Sequence, residues 1–192
     1  MTIQHSAITD PDIHEPKDVS TAAAGTVYQA DGVGSGSWKA PGGHYYGDLY
    51  ITAGATAQTL SAASAYAKLN PASTWAAGLS AGMTLTAADG TITALTAGIY
   101  EISFWANFIT ASLAAGTKYN FKYAINGTTT TRTVSVSKIT NGADTLHVAA
   151  FGLISLSAND VLSVYVGGDG TSSSTAITVT EAGLTASLLK VS

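Results

Sequence analysis

The chain has no cysteine, four prolines, eight lysines plus arginines, and charged residues at only 10% of its 192 positions. Each shortage excludes something. Without cysteine there is no disulfide framework, thiol nucleophile or thiolate metal site, which fits folding in a reducing cytoplasm. The basic residues are scattered rather than clustered and the formal net charge is −4, so a nucleic-acid binder, which needs concentrated positive charge, is not expected. No window approaches eighteen consecutive apolar residues, and residues 1–20 lack a basic stretch followed by an apolar one. Neither a membrane span nor a secretory signal is expected. Low charge itself has two readings: an all-β protein whose solvent face is Thr and Ser, or a subunit whose surface is hidden in an assembly, where charges would need partners. The length fits one well-buried domain with an appendage.

What is present is led by the run from Ala97 to Thr110, the longest aromatic and β-branched stretch in the chain. Alternation puts Tyr100, Ile102, Phe104, Ala106 and Phe108 on one face and Ile99, Glu101, Ser103, Trp105 and Asn107 on the other, the period-2 pattern of a half-buried strand.

Residues 1–43 form a different region, with three of the four prolines (Pro11, Pro16, Pro41), five of the twelve acids and a glycine-rich 31–37. Its large apolar residues are too sparse for either period, so an extended arm is expected. Ordering some forty residues costs roughly 40 kcal/mol of backbone entropy. Offsetting it takes more than ~1,500 Å² of apolar burial, which points to burial against other chains. The Asp10–Pro16 cluster holds metal-ligand residue types, but its two prolines favour extended geometry and no second cluster accompanies it, so no metal is assigned. Val27–Trp38 reads as a short hairpin turning at Asp31-Gly32, not as a phosphate loop, because Pro41 and glycines follow where a helix would have to start.

From His44 onward about ten short strands are expected, with turns at Asp89-Gly90, Asn126-Gly127, Asn141-Gly142, Asn159-Asp160 and Gly167–Gly170. Leu60–Leu69 would pass for a short helix ended by Pro71, and Trp75–Met83 reads as loop. Short strands with turn signals about every ten residues mean a sandwich or barrel.

The run Gly90–Phe104, with Gly98 and Tyr100 in a Gly-x-Tyr pattern, resembles C1q/TNF-like domains. Tyr119–Gly127, Leu153–Val166 (with Asn159 where the family has glycine) and Gly183–Leu189 follow in the family's order. The resemblance implies an all-β jelly-roll sandwich over 44–192, preceded by the 1–43 arm. It also implies a homotrimer whose axis is lined by inner-sheet aromatics, with Tyr119, Phe121, Tyr123 and Tyr165 as trimer contacts. Ordinary core packing is the competing expectation for each.

Residues 8–38 also resemble the leading segment of structural proteins in tailed bacteriophages. This implies a virion protein made in the host cytoplasm and placed on the capsid exterior. Its arm would contact the major capsid protein through Ile3, Ile8, Ile13, Val19, Val27, Tyr28 and Trp38. The expected function is capsid decoration or cement; the rival is a short head or tail fibre binding host surface glycans, with Trp75 or Tyr45-Tyr46 as stacking platforms. No catalytic constellation emerges: His5, His14, His44 and His147 lie in separate segments, and Glu101 and Glu181 have no partner by spacing. No enzyme activity and no cofactor are expected. Asp169 is read as a turn residue rather than a calcium ligand, since one carboxylate supplies too few oxygens.

Overall fold

The computed structural model describes residues 27–30, 36–39, 44–60, 65–70, 74–110, 115–139, 144–168 and 176–191. The chain divides into two compact units, Met1–Gly43 and His44–Ser192. In the first, β1 (Val27–Ala30) and β2 (Gly36–Lys39) pair antiparallel, with Tyr28 opposite Trp38. Their rings meet edge to face with centroids 5.5 Å apart, a favoured aromatic geometry. The hairpin expected from the sequence is there. Ile3, Ile8, Ile13 and Val19, the Asp10–Pro16 cluster and the Asp31-Gly32 turn lie outside the described residues.

The second unit is a sandwich of two antiparallel sheets. One runs in the order β13 (Asp144–Leu156), β9 (Gly98–Thr110), β15 (Ala176–Val191), β3 (Tyr46–Thr52), β6 (Ala76–Ala81), with β4 (Ala57–Thr59) also on β15. The other runs β11 (Thr128–Thr129), β10 (Lys118–Ile125), β14 (Val161–Gly168), β8 (Thr91–Ala94), β7 (Met83–Thr86). In it β12 (Val134–Ser137) pairs with β10, and β5 (Ala67–Lys68) with β14. Neighbouring strands are thus often far apart in sequence, as a jelly roll requires.

β9 alternates as its sequence dictates. Tyr100, Ile102, Phe104, Ala106 and Phe108 are buried, while Ile99, Glu101, Trp105 and Ile109 are exposed. The buried set meets the inward face of β10: Phe104 and Phe121 lie 5.7 Å apart, Phe108 and Tyr119 5.5 Å, and Phe108 and Phe121 5.4 Å. These rings are the centre of the core.

Turn chemistry fixes the connections. Asn126 and Gly127 both take positive φ, 51° and 79°, the conformation a two-residue hairpin needs. Asn126 also clasps the neighbouring turn, its amide donating to Asp160 Oδ1 at 2.8 Å and its Oδ1 accepting from the Val161 N–H at 2.9 Å. Asn159 stands at φ 71°. Asparagine tolerates this left-handed conformation better than most residues, so it serves where a glycine otherwise would.

Three expectations are corrected. Ala76–Ala81, read as loop, is a strand: Ala-Ala-Gly-Leu-Ser-Ala has little β propensity, but it pairs with β3 at the sheet edge. In the Leu60–Leu69 segment the described residues are not helical. Ala67–Lys68 is a strand on β14, the Leu69 N–H donates to the Val164 carbonyl at 2.7 Å, and Gln58 donates to the Lys68 carbonyl at 2.8 Å. Tertiary hydrogen bonds override an Ala-rich local preference. Gly167 and Gly168, expected in a loop, end β14; the Asn141-Gly142 turn and Asp169 lie outside the described residues.

Candidate assembly face

Half of every strand in the β13-β9-β15-β3-β6 sheet points away from the core, and on this outer face the residues are unusually large and apolar. β9 contributes Ile99, Trp105 and Ile109; β13 contributes Phe151 and Leu153; β3 contributes Tyr46 and Tyr50. Phe151 is 74% exposed, Leu153 54% and Trp105 44%. Scattered exposed apolar residues are ordinary, but several on one flat face mark an interaction surface.

Register brings them together. Trp105 stands between Ala149 on β13 and Gly183 on β15, and Gly183 in turn pairs with Tyr50 on β3. A Cβ on Gly183 would come within 2.4 Å of Trp105 Nε1, so the absence of a side chain there is what lets the indole lie across β15. Phe151 and Leu153 stand opposite Ser103 and Glu101.

Several polar groups on the face bond to one another. Asn107 is the hub, its amide donating to Glu181 Oε2 at 2.8 Å and its carbonyl oxygen lying 2.6 Å from His147 Nδ1. Because the Asn107 nitrogen is committed to Glu181, His147 Nδ1 donates, which sets the ring tautomer. Ser103 and Thr185 share a 2.6 Å hydroxyl bond across β9 and β15. Asp48, on β3, is crowded against Gly78 of β6, where a Cβ would fall 2.3 Å from Oδ2. Burial raises its pKa above the ordinary 3.8, since desolvation disfavours the charged form.

The four residues expected to line a trimer axis divide. Tyr119, Phe121 and Tyr123 are 0%, 2% and 5% exposed inside a single chain. They point between the sheets, so the expectation that they form trimer contacts is corrected in favour of core packing. Tyr123 donates from its hydroxyl to the Ala150 carbonyl at 2.8 Å, and burial pushes its phenol well above the usual pKa. Tyr165 points outward, half-buried, on the opposite sheet, beside Lys122 and Lys68 in register. Of the arm positions, Val27, Tyr28 and Trp38 lie in the β1-β2 hairpin. As for glycan platforms, Trp75 is only 5% exposed, its indole N–H donating to the Leu69 carbonyl at 3.0 Å, and Tyr45 packs against the core. Neither offers a stacking surface; Tyr46 does remain exposed. Among the described residues no three His, Asp or Glu side chains gather as a metal site would need.

The face that carries the exposed apolar residues was half visible in the sequence. Ile99 and Trp105 fall on the polar side of the alternation in β9, and large apolar residues on the outward side of a strand are the signal of a second buried surface. The same alternation in β13 would have added Phe151 and Leu153.

No protein-family model matches this sequence, and no curated protein matches it. Solved structures do. The globular domain of a zebrafish complement 1qA protein is matched over 78% of this chain and 100% of its own, with 15% identity and a TM-score of 0.50. Murine APRIL is matched over 77% and 100% with 11% identity and a TM-score of 0.49. Eiger TNF from S. frugiperda is matched over 78% and 94%, with 12% identity and a TM-score of 0.46. With the strand order above, the likeness to the complement domain identifies the fold of residues 44–192 as a C1q/TNF-like jelly-roll sandwich.

Proposed function

We propose that the chain is a non-enzymatic structural protein of a virion: a homotrimeric decoration or cement protein on the exterior of a bacteriophage capsid. The observation that carries self-association is the outer face of the β9 sheet, where Trp105, Phe151, Leu153 and Ile109 stand exposed. A stable interface buries roughly 800 Å² per partner around such apolar anchors. A threefold arrangement is favoured by the fold shared with the complement domain, and the virion setting by the resemblance of residues 8–38 to phage structural proteins.

In this reading the arm binds across neighbouring major capsid protein subunits and the jelly roll stands outward as a knob. The work is mechanical, since bridging capsomers adds contact area that resists internal pressure. Deleting residues 1–40 should leave a soluble trimer that no longer decorates capsids. Normal decoration by the truncated protein, or a stable monomer in light scattering, sinks the proposal. Copy number per particle separates cement, present in numbers near those of the coat protein, from fibre, present in a few copies.

One observation favours the fibre reading with a host surface glycan as partner. On the sheet opposite the assembly face, Tyr66 lies against Gly167 with Lys122 Nζ 4.5 Å from its ring centroid, and Tyr165 stands between Lys122 and Lys68. Tyrosines set among lysines suit an acidic sugar. Saturable binding of such a glycan, lost in Tyr165→Ala, would support it.

A further inference from the structure

The inward positions of β13 run Leu146, Val148, Ala150, Gly152, Ile154. The two smallest stand side by side in the middle of the strand, at the open edge of the sandwich. Beside Ala150 lies a crevice of about 40 Å³. One water needs roughly 10–15 Å³ on this measure, so the space takes a group of several heavy atoms. Most of its lining is apolar, Phe104, Phe121, Val134, Ala150, Phe151 and Val164, with Tyr123 and Lys122 completing it.

Arg132 also lines this crevice. A Cβ on Gly152 would lie 2.6 Å from Arg132 Nη1, so the missing side chain seats the guanidinium against the edge strand. Its hydrogen bond to the Leu153 carbonyl is long, 3.4 Å. Among the described residues no carboxylate lies within ion-pair distance of Arg132. A planar fork of five donors with one long bond, set beside an apolar space, matches one chemistry: a compact hydrophobic group ending in a carboxylate.

We propose that this crevice binds a small apolar carboxylate, its branched or aromatic end between the sheets and its carboxylate on Arg132. The inference stands on single-chain geometry and does not rest on the assembly reading. Titrating the full chain with isovalerate, and with isovaleramide as the neutral isostere, under NMR observation of amide and methyl signals tests it. Saturable shifts centred on Val134, Ala150 and Gly152 are expected, with the acid bound about tenfold more tightly than the amide, as a charge-assisted bond implies. Arg132→Gln should erase that preference while keeping the amide's weak binding. Ala150→Leu should fill the crevice and abolish both, and if it does not fold, Val134→Phe fills the same space from β12. Non-saturating shifts, equal affinity for acid and amide, or a preference that survives Arg132→Gln would overturn the proposal.

Discussion

Asp48 ties burial to pH. Its carboxylate is pushed up from 3.8 by desolvation on the apolar outer face, so the folded chain holds that proton more tightly than the unfolded chain does. Stability contributed by this group is therefore fully present below the unfolded pKa and falls as pH rises through the higher folded one. Asp48→Asn should be the more stable protein at pH 7, and its advantage should shrink as pH approaches 4. Denaturant unfolding of both proteins at several pH values measures this, and a constant difference would contradict it. Asn159 gives a second expectation at this scale. With φ at 71°, Asn159→Ala should lose about 1 kcal/mol, because an alanine Cβ is disfavoured in the left-handed region. Asn159→Gly should be neutral or slightly stabilising. The midpoint of chemical unfolding ranks the three proteins.

Among the elements, legibility followed chemistry. β9 could be read to within a residue because Tyr, Ile, Phe and Trp alternate with Glu, Ser and Asn, so propensity and burial period agree. β10 was equally plain, β14 runs two residues past its expected end into Gly167 and Gly168, and the Asn126-Gly127 turn between β10 and β11 carries its own signature. β6 was not legible, because Ala, Gly and Ser carry no strand signal and its pairing is dictated by β3. The inward aromatics of β10 were visible as one face but not as to which side, since alternation divides a strand into faces without saying which one meets the core. Hence Tyr119, Phe121 and Tyr123 could be read as axis-lining until the opposite sheet was in place. The two turns held by Asn126 give this scale its prediction. Asn126→Ala removes both the bond to Asp160 Oδ1 and the acceptor for the Val161 N–H while straining a positive φ. A loss of roughly 2–3 kcal/mol is expected, more than either effect gives separately. Hydrogen exchange should show the loosening concentrated at Val161 and the β10-β11 hairpin.

Across the whole second unit the two outer sheet faces differ in kind. The β9 face carries Asp48, Glu101 and Glu181, with Lys190 at its end, among Trp105, Phe151 and Leu153, whereas the β10 face carries Lys118, Lys122 and Lys68, the last ion-paired with Asp89 at 3.7 Å, with Tyr66 and Tyr165. Low overall charge in the sequence thus conceals a difference between the faces that only the folded sheets reveal. Apolar anchors with a few mutually satisfied polar groups suit permanent contact, because little is left to desolvate. If that face is the assembly surface, stability is linked to protomer concentration, and the midpoint of thermal unfolding should rise with protein concentration in the wild type. Trp105→Glu places a charge at the middle of the face without touching the core, since the residue is 44% exposed in the isolated chain. It should yield a folded monomer by light scattering, with wild-type far-UV circular dichroism and a melting midpoint that no longer depends on concentration. Lys122→Glu, a charge reversal on the opposite sheet, should leave the oligomer intact. Dissociation by Lys122→Glu but not by Trp105→Glu would place the interface on the lysine-bearing sheet instead.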